Sequence, residues 1–113
     1  MAAGYQELFI EQGADFATTI TLDGVNGMPF NLDNYVAKSQ IRKSYYSSNT
    51  TAQFTIQFPD AANGVISLTL PSSNTSNIAP GRYVYDMVIK NNQNVVTRVL
   101  EGIVNITPQV TVF

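Results

Sequence analysis

No cysteine, histidine or tryptophan occurs in the 113 residues of this chain. Without cysteine there is no disulfide, no thiolate metal site and no thiol nucleophile. Without histidine the commonest general base and the commonest metal ligand are both missing. Charge is scarce as well. Lys and Arg number 6 and Asp and Glu 8, together 12% of the chain, about half the usual share. The basic residues Lys38, Arg42, Lys43, Arg82, Lys90 and Arg98 are mostly scattered and the net charge is -2. Nucleic-acid recognition needs clustered cations that displace counterions, so no nucleic-acid partner is expected. No apolar run approaches the roughly 18 residues of a membrane-crossing helix, so no membrane partner is expected either. The opening MAAGYQELFI lacks a basic region and a long apolar run, and does not read as a signal peptide.

What fills the chain is polar but uncharged. Asn, Gln, Ser and Thr occupy 37 positions, and 44% of residues are hydrophobic. That composition supports one globular domain, 1–113, with a real core. A weakly charged surface gives little colloidal protection, which suits a protein held inside an assembly.

Period-two alternation recurs along the chain and predicts strands over 8–12, 15–23, 35–44, 52–58, 65–70, 82–90 and 95–106. Inward faces are expected to carry Phe16, Ile20 and Leu22, then Ala37, Ser39 and Ile41, then Phe54, Ile56 and Phe58, then Ile66, Leu68 and Leu70. Tyr83, Tyr85, Met87 and Ile89 share one parity and read as core. Turn chemistry separates the strands at Asn26-Gly27 and Asn63-Gly64. One short helical turn is expected within 72–81, capped by Ser72 or Ser73 and ended by Pro80-Gly81. About seven short strands at this spacing predict an all-β fold, an antiparallel immunoglobulin-like sandwich. The tail TPQVTVF, 107–113, is apolar at alternate positions and suits either continuation of the last strand or pairing with a neighbouring chain.

Candidate chemistry is thin. A Ser–Lys pair is formally available at Ser39 or Ser44 with Lys38 or Lys43, but no spacing supports it. The eight acids fall mostly at strand ends and turns, where solvated charge explains them better than a carboxylate pair across a cleft. Asp23, Asn26, Asn31, Asp33 and Asn34 crowd one loop without the order of a calcium loop. No catalytic residue, metal site or cofactor is expected. The exception is Tyr45-Tyr46: adjacent aromatics in an extended polar loop cannot both point inward, so they are the candidate partner contact.

In the hairpin 79–106, a loop centred on Asn92-Gln93 sets Tyr83 opposite Gly102, Tyr85 opposite Leu100 and Asp86 opposite Val99. A one-residue shift instead sets Asp86 opposite Arg98, and alternation alone leaves both registers open.

Two blocks of sequence resemble a recurrent pattern. FIEQGADFATTITLDGVNGMPFNLDNYVAKSQIRKSYY carries Glu11-Gln12-Gly13 and Gln40-Ile41-Arg42. APGRYVYDMVIKNNQNVVTRVLEGIVNITPQVT carries Gly81 to Asp86, Arg98 to Gly102 and Pro108 to Thr111. Together they resemble small immunoglobulin-like virion proteins of tailed bacteriophages, of the contractile-tailed cyanophage type, and are similar to N-terminal modules of baseplate and tail-fibre attachment proteins. The resemblance implies a non-enzymatic structural role in tail, baseplate or neck. It also implies location in the virion, contacts with other virion proteins, and self-association in a symmetric assembly. The competing expectation is a capsid- or tail-displayed decoration or adhesion domain that binds host-surface glycan or protein.

Overall fold

The alternating segments fold into two facing sheets. A computed structural model describes residues 4–24 and 27–112. Asn26 lies outside them, so the expected Asn26-Gly27 turn is described only in part. The strands are β1 (Gly4–Tyr5), β2 (Leu8–Glu11), β3 (Phe16–Thr21), β4 (Val36–Arg42), β5 (Ala52–Gln53), β6 (Thr55–Asp60), β7 (Val65–Leu70), β8 (Gly81–Lys90) and β9 (Val96–Thr107). One helical turn, α1 (Ser72–Thr75), joins β7 to β8. The larger sheet runs β1-β9-β8-β4-β5, with β2 also on β9, and the smaller runs β3-β7-β6. No helix among the described residues is long and apolar enough to cross a membrane.

Period two puts one side chain in every pair between the sheets. Ile10, Ile41, Ile66, Leu68, Leu70, Met87, Ile89 and Val104 are buried there. The expected inward residues of β4, β7 and β8 all lie on that side, including Ser39, whose hydroxyl donates to the Asp86 carbonyl oxygen at 2.6 Å. The fold is therefore the expected immunoglobulin-like sandwich. A further mark of it is Tyr83 at the start of β8. Its hydroxyl donates to the carbonyl oxygen of Ala79, four residues upstream, at 2.7 Å, the tyrosine-corner arrangement.

Four details differ from the sequence expectation. First, the sheet is not wholly antiparallel: β1 and β2 pair with β9 in parallel. Parallel neighbours need a long connection, and here the whole chain supplies it, because the two strands belong to its opposite ends. Second, the segment 52–58 is not one strand. It leaves the larger sheet after Gln53 and enters the smaller one at Thr55, and the buried Phe54 lies at the crossing. Counting β1 with β2 and β5 with β6 recovers the expected seven strands.

Third, the hairpin register is neither of the two expected. Tyr83 faces Val104, Tyr85 faces Gly102, Asp86 faces Glu101, and Val88 faces Arg98. A bulge lies between Met87 and Val88 on one side and admits Val99 as an extra residue on the other. Val99 and Leu100 are consequently both buried, although neighbours in a regular strand face opposite ways. The turn is held by Asn91, whose Oδ1 accepts from the backbone N–H groups of Gln93 and Val95 at 2.9 and 3.0 Å. Fourth, neither Ser72 nor Ser73 caps α1. Pro71 precedes it without a side-chain cap, and the Ser72 N–H donates at 2.6 Å to Oδ1 of Asp15, which directly precedes the neighbouring strand β3.

Gly102 is where the N-terminal strand comes closest. β1 and β2 keep one common register on β9 and are interrupted at Gln6-Glu7. A Cβ on Gly102 would overlap the Gln6 carbonyl oxygen and stand 3.1 Å from Tyr85 Cε1. The Tyr85 hydroxyl donates to that same carbonyl oxygen at 2.6 Å. Burial, with the nearby Tyr5 as the smaller cause, pushes the Tyr85 phenol up from 10.0 to about 12.

Gly102→Ala is expected to lower unfolding stability by about 2 kcal/mol through overpacking against backbone, read by denaturant titration. The raised Tyr85 value also sets an alkaline limit. The folded state holds this proton more tightly than the unfolded chain, so the associated stability is complete below pH 10 and is lost as pH rises through about 12. Ultraviolet titration should show one of the six tyrosines ionising late, and Tyr85→Phe should remove that phase.

Candidate functional site

Residues that alternate away from the core build a shallow groove on the outer face of the larger sheet. β4 contributes Lys38, Gln40 and Arg42, and β8 contributes Val84, Asp86 and Val88. Arg98 of β9 closes one side, and Ser44 and Tyr45 close the end. The groove encloses about 390 Å³. A second hollow of about 250 Å³ continues from Lys38 and Val88 past Val36, Lys90 and Val96.

The charges of the groove compensate one another. Asp86 and Glu101 are direct cross-strand partners, which by itself is repulsive. The bulge at Val99 brings Arg98 beside both: its Nε lies 3.4 Å from Asp86 Oδ2 and its guanidinium donates to Glu101 Oε2 at 3.2 Å. All three are partly exposed, so each pair is worth about 0.2–1 kcal/mol. Arg42 is also held, donating to the Ser47 carbonyl oxygen and to Gln40 Oε1, both at 3.0 Å. Lys38 makes no ion pair among the described residues.

The 44–47 loop is a tight turn. The Ser47 N–H donates to the Ser44 carbonyl oxygen at 3.2 Å, and the two serine hydroxyls lie 3.2 Å apart. That geometry puts Tyr45 and Tyr46 at the tip, 59% and 98% exposed. Neither folds back over the sandwich. Only Tyr45 reaches the groove, and Tyr46 lies outside its lining. The serines of the formal Ser–Lys pairs are engaged elsewhere: Ser39 with the Asp86 carbonyl, Ser44 with Ser47. Lys43 lies against the Arg82 carbonyl oxygen at 3.4 Å and over the Tyr83 ring at 4.6 Å. In the 23–34 loop, Asn31 Oδ1 accepts from the Asp33 N–H at 2.9 Å, as turn-forming Asx residues do. No group of three His, Cys, Asp or Glu side chains suited to a metal ion occurs among the described residues.

Sequence reasoning singled out the tyrosines but not the groove beside them. The signal was partial: alternation already set Lys38, Gln40 and Arg42 on one side of their strand. Their union with Val84, Asp86 and Arg98 depends on pairing across residues far apart in sequence. Gln12 was also missed as an organiser. Its amide donates to the Ile78 carbonyl oxygen at 3.1 Å and accepts from the Gln109 N–H at 3.3 Å.

No protein-family model matches the chain, and no curated protein does. Among solved structures it is similar to CopC from Methylosinus trichosporium OB3b. The TM-score is 0.51 and the identity 10%, over 94% of this chain and 90% of that one. At that identity the likeness shows a shared β-sandwich fold and nothing finer.

Arg98→Ala should leave Asp86 and Glu101 facing each other unscreened, and is expected to cost about 1 kcal/mol at low salt. The loss should shrink in high salt, as melting at two ionic strengths would reveal.

Proposed function

We propose that this chain is a non-enzymatic structural protein of a phage virion, in tail, baseplate or neck, that acts through protein–protein contacts. The observation that carries the reading is that both terminal segments leave large apolar side chains exposed. Tyr5 and Phe9 on the N-terminal strand, and Val110 and Val112 in the C-terminal tail, are all largely exposed. The two terminal segments carrying them are tied together by the Gln12–Gln109 hydrogen bond. Exposed apolar side chains on two segments joined in this way suit a surface covered by neighbouring subunits. The phage-like sequence blocks and the weakly charged surface agree with that use.

A second reading, a displayed adhesion domain, draws on Tyr45 at the rim of the groove. An exposed aromatic beside a shallow, partly polar hollow suits weak glycan or protein binding. The two readings separate by mutation. Phe9→Ser combined with Val110→Ser should reduce incorporation into particles while leaving the melting temperature nearly unchanged. Tyr45→Ser with Tyr46→Ser should leave incorporation intact. If adsorption to host cells falls in the tyrosine variant while the Phe9 and Val110 variant assembles normally, the structural reading is wrong and the adhesion reading replaces it.

A further inference from the structure

The two sheets are unequal. Three strands of the smaller sheet face five hydrogen-bonded positions of the larger one. The shortfall is felt at β3, an edge strand whose core-side residues Phe16 and Thr18, with Leu22 just beyond, are only half-buried. In an immunoglobulin-like sandwich the first strand commonly pairs in this sheet. Here it lies wholly on β9, and among the described residues no strand pairs with the outer side of β3.

Other edges are guarded. β6 carries Pro59, Asp60 and a bulge, β5 is two residues long, and the N-terminal edge is interrupted at Gln6-Glu7. β3 has none of these devices. Its six residues, FATTIT, pair with β7 without a break and include no charge and no proline. Natural proteins rarely leave such an edge open unless something pairs with it.

The chain itself carries a segment of matching pattern. Residues 107–112, TPQVTV, are uncharged, and 108–112 belong to no strand. Val110 and Val112 stand 97% and 71% exposed, with Thr111 between them. In a strand the valines would share one face and Thr111 the other. β3 has the same division, with Ile20 inward and Thr19 and Thr21 outward, beside Ser67 and Val65 of β7. Neither segment carries a charge that would repel the other. In its own chain the tail is fastened at Gln109, on Gln12 and against Gly13, and does not pair with β3.

We infer that the 108–112 tail of one copy adds as a strand to the open β3 edge of a second copy, Val110 and Val112 covering the half-buried flank of its core. This rests on the assembly reading and gives it a contact. One five-residue strand makes a small interface, so the seam suits a repeated contact in a symmetric assembly better than an isolated dimer.

The absence of cysteine allows a direct test. Thr19→Cys and Thr111→Cys proteins are purified separately, mixed at high concentration and oxidised. A mixed disulfide dimer is expected, well above the yield when Thr55→Cys on β6 replaces Thr19→Cys. Adding Ala17→Lys to the Thr19→Cys protein should cut the yield severalfold without changing its melting temperature. Equal yields at β3 and β6 overturn the inference. So does a Thr19→Cys, Thr111→Cys double variant that closes its disulfide within one copy. Particle composition answers the wider question separately. A chain present in purified particles without the cross-link removes only strand addition. A chain absent from particles that still forms the mixed dimer removes only the virion role.

Discussion

The Gln6 carbonyl, lodged between Gly102 and the Tyr85 hydroxyl, is the contact on which the rest of the sandwich depends. It allows the N-terminal strand to lie parallel on β9 with its backbone close enough to pair. Any side chain at position 102 would hold the two apart. The same tyrosine ring then turns into the core. It meets Phe54 edge-on at 6.2 Å, and Phe54 meets Phe16 at 5.9 Å. One aromatic row thus links the edge of the larger sheet, the crossing between sheets and the first strand of the smaller one. Such pairs add about 0.5–1.5 kcal/mol beyond area burial, so a disturbance at Gly102 propagates inward.

A second knot lies at the pole where chain ends and the α1 corner meet. The buried Thr75 hydroxyl accepts from the Gly13 N–H at 3.1 Å and donates to the Ala14 carbonyl oxygen at 2.8 Å. Asp15 serves the first N–H of α1, and Gln12 bridges Ile78 and Gln109. A helix this short has no stability of its own. Its geometry comes from the partners supplied by residues 12–15. The Gln-Gly pair of the first sequence block is therefore structural: it joins the N-terminal strand, the corner and the tail.

Low charge and unequal sheets have one consequence in common. On the larger sheet's outer face Asp86 and Glu101 are compensated by Arg98, and the outward face of the smaller sheet is mostly Thr and Ser. Neither surface repels a neighbour strongly. What distinguishes one place from another is hydrogen-bonding capacity along an open edge and the exposed apolar residues of the terminal segments. In that setting recognition follows shape and strand pairing more than long-range electrostatics.

Alternation was enough to settle which side chains enter the core, because burying one face of a strand admits only one parity. Tyr83, Tyr85, Met87 and Ile89 could be read from that rule, as could Ile66, Leu68 and Leu70, and with them the sandwich itself. Pairing was not determined in this way. Several registers bury the same parity, and the bulge at Val99 was visible only as two adjacent apolar residues, Val99-Leu100, where the phase of alternation changes. The parallel placement of β1 and β2, the crossing at Phe54 and the groove beside Tyr45 each join residues dozens of positions apart. Local sequence preference has no term for such contacts. They were decided by the tertiary fold, through close backbone approach at Gly102 and the need to cover a core with sheets of unequal width.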